Sequence, residues 1–166
     1  MRSFLSLLLL LLVTPFLAGE TYTGKCIGVS DGDTISVMKA GKAVKIRLEG
    51  IDCPELGQDF GTRAKVFTSG MVFGKDVEIK KYNLDRYGRI VARILVGDQD
   101  VSLELVRVGL AWHYKKYSSD PVLAEAEVEA RRVNVGLWSM PSPVPPWEYR
   151  RGRGRQGEAG SPLLVR

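Results

Sequence analysis

Residues 44–49, Val-Lys-Ile-Arg-Leu-Glu, alternate strictly between apolar and charged side chains. Successive side chains of a β-strand point to opposite faces, so the segment predicts a strand with Val44, Ile46 and Leu48 on one face. Lys45, Arg47 and Glu49 share the other face. Arg47 therefore points away from the apolar side of the strand.

Four more segments have the composition of strands. They are residues 21–30, 34–39, 77–81 and 90–96. An Asp-Gly pair follows the first segment, and Ala40-Gly41-Lys42 follows the second; both sequences are typical of tight hairpin turns. Residues 82–89 form the loop between the last two strands.

Helical patterns occur at three places. The apolar residues of the first recur at helical spacing: Phe60, Ala64, Phe67 and Met71. This helix ends before Gly74, and a shorter one is predicted over residues 101–108. A third begins at Asp120-Pro121, because Asp is favoured at the N-cap and Pro at the first helical position. The order of elements indicates an α+β, mainly β protein: a five-stranded OB-type Greek-key barrel with about three helices.

The two ends of the chain differ from its middle. Arg2, an apolar run and a small-residue exit predict a cleaved signal peptide over residues 1–19, since a membrane span needs about 20 apolar residues. An uncleaved N-terminal anchor is the alternative. Residues 20–140 form the predicted globular domain. Residues 141–166 are rich in Pro, Gly and Arg and predict an extended, partly disordered extension. We therefore expect an exported protein, periplasmic or secreted.

Charge and cysteine content narrow the possible partners and metals. The formal net charge of +5 falls to about +4 when Arg2 leaves with the signal peptide, which suits a nucleic-acid partner and is also ordinary for solubility. Cys26 and Cys53 permit one disulfide in an exported chain. His113 is the single histidine of the sequence, so a zinc site lacks enough His and Cys ligands.

Carboxylates and arginines cluster around the predicted strand ends. The motifs are Asp31-Gly32-Asp33-Thr34, Arg47, Asp52-Cys53-Pro54-Glu55 and Asp85-Arg86-Tyr87-Gly88-Arg89. Two carboxylates can hold a hard cation, a third can accept a proton from water, and two arginines can clamp a phosphate as its charge rises. An EF-hand is excluded, because Ile35 and Lys42 stand where that loop needs oxygen ligands. The set suits metal-assisted cleavage of a phosphodiester.

Together with two later motifs, these residues resemble the staphylococcal nuclease (thermonuclease) family. The later motifs are Leu105-Val106-Arg107-Val108-Gly109-Leu110-Ala111 and Gly136-Leu137-Trp138-Ser139. The resemblance spans about residues 22–140. It implies a monomeric, calcium-dependent nuclease that hydrolyses DNA and RNA with little sequence specificity. Metal-assisted attack by water would leave 3′-phosphate products.

The resemblance also implies a role for each matching residue. The expected calcium ligands are the side chains of Asp33 and Asp52 and the backbone carbonyl of Cys53. Glu55 is expected to activate the attacking water, and Arg47 and Arg89 to bind the scissile phosphate. Arginine suits these positions because its planar fork stays charged and can bind two oxygens at once.

Three tyrosines are candidates for contact with the nucleotide: Tyr87, Tyr114 and Tyr117. Tyr87 lies in the loop that carries Arg89, and the other two follow Trp112 in a basic stretch that suits base stacking. Half-buried packing is the alternative for each ring. Trp138 and Trp147 are expected to be packing anchors.

Two features depart from the best-known family members. The loop after Glu55 lacks the longer, lysine-bearing segment of those members, so the strength of substrate binding and the rate need not match theirs. Cys53 stands in place of their Thr, and a Cys26–Cys53 bridge would brace the ligand loop.

Two other classes of function stay open. The first is a noncatalytic nucleic-acid-binding OB-fold module, although such modules typically lose the acidic ligands. The second is an exported structural protein whose tail arginines contact acidic polymers or anionic lipid. Those arginines are Arg150, Arg151, Arg153 and Arg155.

Overall fold

A computed structural model describes the backbone of residues 20–159 and the side chains of residues 20–152. The predicted signal peptide, residues 1–19, lies outside the described residues and stays a prediction. So does the prediction for residues 160–166. Within the described part, no helix combines the length and the apolar character that a membrane span requires.

Five strands close into a barrel. They are β1 (Thr21–Val29), β2 (Thr34–Lys39), β3 (Lys42–Leu48), β4 (Asp76–Leu84) and β5 (Ile90–Val96). The order around the barrel is β3-β2-β1-β4-β5, and a parallel pairing of β3 with β5 closes it. All other neighbours in this barrel are antiparallel. The predicted five-stranded OB-type barrel is confirmed.

Local sequence explains the β2–β3 hairpin and its orientation. Ala40 and Gly41 have φ angles of 47° and 76° at the turn, and two successive positive φ angles match the right-handed twist of a hairpin. Ile46 and Leu48 are buried in the barrel core, whereas Arg47 lies on the opposite side of the strand. The predicted alternation in β3 is confirmed, and it directs Arg47 out of the core.

Four α-helices pack around the barrel in the described part of the chain. They are α1 (Gly61–Val72), α2 (Val101–Arg107), α3 (Pro121–Arg132) and α4 (Pro146–Ala159). The side chains of Asp100 and Asp120 accept hydrogen bonds from backbone N–H groups at the starts of α2 and α3. The first three helices begin where the sequence predicts them, within one residue.

Helix α4 differs from the prediction of an extended segment. Pro146 stands at its first position, and the N–H groups of Glu148 and Tyr149 donate to the carbonyl of Pro145. Trp147 packs against two aromatic rings of the barrel-side segment Trp112–Tyr114. Tertiary packing therefore outweighs the weak helix propensity of the glycines that follow.

The Cys26–Cys53 bridge, which the sequence permits and leaves open, does not form in this structure, because both cysteines are buried free thiols. Cys26 lies in β1 and its Sγ donates to the carbonyl of Gly28 at 3.5 Å. Cys53 follows the two-residue strand Ile51–Asp52 and packs against Gly32. An even cysteine count permits a bridge, but these two side chains pack against different partners.

Candidate active site

A cleft of about 660 Å³ lies beside β3 and the loop between β4 and β5. Eight of the nine residues predicted for the site line it: Asp33, Arg47, Cys53, Glu55, Tyr87, Arg89, Tyr114 and Tyr117. The ninth, Asp52, is fully buried and bonds to Arg47 at the wall of the cleft. The fold therefore brings all nine predicted residues together.

The turn between β1 and β2 fixes Asp33. The carboxylate of Asp31 accepts a hydrogen bond from the backbone N–H of Asp33 at 3.1 Å. Thr68 of α1 donates to the carbonyl of Gly32 at 2.6 Å. A Cβ atom on Gly32 would lie 2.7 Å from the Cβ of Cys53, so only glycine fits between these segments. The turn is thus held against both α1 and the Cys53 loop.

Arg47 joins the two predicted metal ligands. Its Nη1 donates to Oδ1 of Asp33 at 2.7 Å, and its Nη2 donates to Oδ1 of Asp52 at 2.8 Å. The other oxygen of Asp33 accepts the backbone N–H of Cys53 at 2.9 Å. Two buried carboxylates therefore converge on one guanidinium.

The charge of Asp33 is only partly compensated. Burial raises its pKa to about 7; Arg47 opposes this increase, and the carboxylates of Asp31 and Asp52 add to it. A carboxylate whose pKa is raised by burial and by neighbouring negative charge lacks full countercharge, and a hard divalent cation, which prefers oxygen ligands, can supply it. The donor set of this site therefore fits such a cation.

Protein side chains alone do not complete a metal cage. Among residues 20–152, no group of three or more His, Cys, Asp or Glu side chains is arranged to hold a metal ion. Burial raises the pKa of the Cys53 thiol well above its ordinary value, so the thiol is neutral rather than a thiolate ligand. A cation held by Asp33 and Asp52 thus needs carbonyl, water or phosphate oxygens as further ligands.

Arg89 is oriented by its own loop. Its Nε donates to Oδ2 of Asp85 at 2.6 Å, and its backbone N–H donates to Oδ1 of the same residue at 2.9 Å. Its Nη1 reaches Oγ1 of Thr34 at 3.4 Å. Because Thr34 follows Asp33 directly, Arg89 approaches the same carboxylates from the β4–β5 loop.

The three tyrosines are in different environments. Tyr87 and Tyr117 are 69% and 68% exposed, so both rings are accessible from the cleft. Tyr114 has Trp147 stacked parallel to its ring, with centroids 5.1 Å apart. Trp138 is buried against Trp112, which confirms it as a packing anchor. Of the three tyrosines, Tyr114 is the one whose surroundings match half-buried packing, the alternative to contact with the nucleotide.

Sequence reasoning missed one residue of the site, Arg150. Its Nη1 donates to Oε1 of Glu55 at 2.6 Å, and its Nη2 donates to Oδ2 of Asp52 at 2.7 Å. The sequence groups Arg150 with the tail arginines that could contact acidic polymers or anionic lipid, whereas in this structure its partners are two carboxylates of the same chain. Pro145-Pro146-Trp147, a helix start that carries a large aromatic ring, was the signal that could have found it.

Several known proteins that this chain resembles are described as nucleases. A family model described as "Staphylococcal nuclease homologue" matches residues 45–140. An "Uncharacterized endonuclease" of Escherichia coli is 42% identical over 151 residues, covering 90% of this chain and 98% of the relative. An "Uncharacterized endonuclease" of Haemophilus influenzae is 38% identical, covering 88% and 83%. A "Micrococcal nuclease" of Shigella flexneri is 34% identical, covering 84% and 87%.

Proposed function

Because this chain belongs to the staphylococcal nuclease family and is a nuclease hydrolase, we propose that it is an exported, monomeric, calcium-dependent enzyme acting on both DNA and RNA. The observation that carries the proposal is the convergence of Asp33 and Asp52 on Arg47, in a cleft that Glu55 and Arg89 also line. A protein that only binds nucleic acid has little use for two buried carboxylates that share one guanidinium, since the negative charge that remains repels phosphate.

The donor set suits calcium. Asp33 and Asp52 would hold the ion together with the carbonyl of Cys53, and water and a phosphate oxygen would fill the remaining positions of its six to eight ligands. When bound, the ion supplies positive charge that stabilises the negative charge developing on the phosphate. The incomplete protein cage leaves room for the substrate.

The side chains then divide the chemistry between them. Glu55 accepts a proton from a water molecule whose oxygen forms the new bond to phosphorus. The bond from phosphorus to the 5′ oxygen breaks, that oxygen takes a proton from solvent, and the phosphate stays on the 3′ side. Arg47 and Arg89 donate hydrogen bonds to the phosphate oxygens, and these bonds strengthen as charge builds up in the transition state.

Low sequence specificity is consistent with the accessible aromatic rings. Tyr87 and Tyr117 are exposed and line the same cleft. Stacking of bases on such rings tolerates any sequence, because every base has a π-face. We therefore assign the two rings to base stacking in single-stranded DNA and RNA.

Cleavage assays on the purified mature chain test this function. Single-stranded DNA and RNA are incubated with calcium, with magnesium and with a chelator, and products are analysed for terminal phosphates. Cleavage that requires calcium and yields 3′-phosphates supports the proposal. Binding of nucleic acid without cleavage under any metal condition refutes it in favour of a noncatalytic module.

Substitution of Glu55 tests its role as the base. Glu55→Gln should lower cleavage by roughly 10² to 10⁴ while calcium binding, measured by calorimetry, survives. Glu125→Gln is the matched control, because Glu125 is exposed on α3, outside the residues that line the cleft. Unchanged activity of Glu55→Gln would remove Glu55 from the mechanism.

A further inference from the structure

The segment from Val144 to Arg150 is attached to the loop that carries Glu55. The side-chain amide of Gln58 donates to the carbonyl of Val144 at 2.5 Å. The hydroxyl of Tyr149 donates to the carbonyl of Gly57 at 2.6 Å. Two hydrogen bonds thus join the segments: the Glu55 loop donates one through Gln58, and the C-terminal segment donates the other through Tyr149.

The same segment is anchored on the strand pair that carries Asp52. Asp52 pairs with Trp112 in a two-stranded ladder. Trp147 packs edge-on against Trp112, with centroids 5.6 Å apart, and stacks on Tyr114. The first turn of α4 therefore rests on the element that positions Asp52, while its other contacts hold the Glu55 loop.

The backbone near Glu55 is fixed, but its side chain is held by one partner. The N–H of Gln58 donates to the carbonyl of Glu55, and Gly61 leaves no room for a Cβ atom beside that carbonyl. Among the described residues, the hydrogen-bond partner of the Glu55 carboxylate is Arg150. The same guanidinium contacts both oxygens of Asp52, at 2.7 and 3.2 Å.

We propose that Arg150 is a positioning residue of the active site, whose guanidinium holds the Glu55 carboxylate at a set distance from Asp52. This inference rests on the proposed role of Glu55 as the base. A free glutamate side chain samples several rotamers, and a bond to a fixed partner removes that freedom. A planar fork can bridge two carboxylates, which the point charge of lysine does less well.

An opposite interpretation assigns Arg150 to inhibition. Its guanidinium would then stand in for the metal ion and leave when calcium arrives. The attachments of Val144, Trp147 and Tyr149 favour positioning, because they fasten the segment to both the Glu55 loop and the Asp52 strand pair. A displaceable plug needs no such attachment to the parts that it blocks.

The test compares Arg150→Ala and Arg150→Lys with wild type in the full mature chain. We expect Arg150→Ala to lower kcat roughly 10- to 100-fold with little change in KM, since displacement of a catalytic group by about 1 Å can cost this much. The kcat of Arg150→Lys should lie between those of wild type and Arg150→Ala. Calcium affinity, measured by calorimetry on the protein without substrate, should not weaken. Arg151→Ala is the control, since Arg151 is the exposed neighbour on the same helix.

Two results would overturn the inference. If Arg150→Ala has a kcat equal to or above wild type while binding calcium more tightly, Arg150 competes with the metal. If kcat falls only in parallel with thermal stability and calcium binding, its role is merely structural. Should Arg150→Ala fail to fold, Arg150→Met keeps most of the aliphatic length and is judged by the same measurements. Absence of cleavage by the wild type would instead refute the proposed function.

Discussion

Arg47 and Arg150 each bridge two carboxylates of the site, but they belong to different regions of the molecule. Arg47 lies on barrel strand β3, and its partners Asp33 and Asp52 are 14 and 5 residues away in sequence. Arg150 lies on α4, and its partners Asp52 and Glu55 are 98 and 95 residues away. Asp52 is common to both.

The two arginines also differ in exposure. The Arg47 side chain is 18% exposed, whereas that of Arg150 is 42% exposed. Removal of one partner of a buried ion pair leaves an uncompensated buried charge and is strongly destabilising, whereas loss of an exposed ion pair costs little. We therefore expect loss of the barrel arginine to affect mainly the stability of the fold, and loss of the helix arginine to affect mainly the position of the Glu55 carboxylate.

Among the substitutions considered, replacement of Arg47 should lower the free energy of unfolding most. Arg47→Ala leaves the buried Asp33 carboxylate without its cationic partner and leaves Asp52 with Arg150 alone, so the free energy of unfolding should fall by about 3–5 kcal/mol. Calcium should recover part of this loss, because a ligand that binds only the folded state stabilises it. Urea denaturation with and without calcium measures both effects.

Lys45→Ala is the matched control for Arg47→Ala. Lys45 lies on the same strand, and its side chain is exposed. Substitution there should change the free energy of unfolding by less than about 0.5 kcal/mol. If Arg47→Ala is as stable as Lys45→Ala, the proposed distinction between the two arginines is lost.

The barrel could be predicted because its signals are local. The alternation in residues 44–49 sets which side of β3 carries Arg47, and the turn at Ala40 and Gly41 joins β2 to β3. The Asp residues that cap α2 and α3 lie next to the helices that they start. Patterns of this kind depend on neighbours within a few residues, so a single sequence contains them.

The site was predicted in a different way. Periodicity placed Arg47 on the outer face of its strand. The presence of several carboxylates and arginines indicated phosphodiester chemistry, and the family resemblance supplied the individual roles of Asp33, Asp52, Glu55 and Arg89. Their convergence in one cleft is now seen, and their catalytic roles stay predictions. Sequence spacing alone does not reveal which loops meet at a barrel end, because that depends on strand tilt and closure.

Helix α4 and Arg150 were missed for a physical reason. A segment rich in Pro, Gly and Arg has weak helix propensity, so local rules favour an extended chain. Its helix forms against Trp112 and Tyr114, which are more than thirty residues earlier in the chain. The sequence left the Cys26–Cys53 bridge open for a similar reason, since a count of cysteines does not give the distance between them.

Two glycines of α1 differ in their surroundings: Gly61, the first residue of the helix, lies against the Glu55 loop, and Gly70 lies near its end. A Cβ atom on Gly61 would collide with the carbonyl of Glu55, whereas one on Gly70 meets nothing within 4 Å. Gly61→Ala should therefore displace the Glu55 loop and lower the free energy of unfolding by about 1–3 kcal/mol. We expect kcat to fall with it, because the loop holds the proposed base.

Gly70→Ala serves as the control in the same helix. It adds the same methyl group in open space and should raise the free energy of unfolding by about 0.5–1 kcal/mol through helix propensity. Thermal melts and steady-state kinetics on both variants distinguish a loop effect from a helix effect. Equal activity of Gly61→Ala and wild type would show that the Glu55 loop tolerates movement.

A double-mutant cycle on Trp147 and Arg150 tests whether the two residues act together on kcat. If Trp147 acts by placing Arg150, the loss of kcat in the double variant should be smaller than the product of the two single losses. Residues that act as one unit are expected to show a coupling of about 0.5–3 kcal/mol. Fully multiplicative losses would indicate that Trp147 stabilises the helix independently of the arginine.

The smallest effect is expected at the hydroxyl of Tyr149. Tyr149→Phe removes the hydrogen bond to the carbonyl of Gly57 and keeps the ring, so the free energy of unfolding should fall by only about 0.5–1.5 kcal/mol. The guanidinium of Arg150 still reaches Glu55 in this variant, and kcat should therefore fall by less than in Arg150→Ala. If Tyr149→Phe lowers kcat as much as Arg150→Ala does, the hydrogen bond to Gly57 controls the Glu55 loop. Arg150 would then be one of several attachments rather than the group that positions the base.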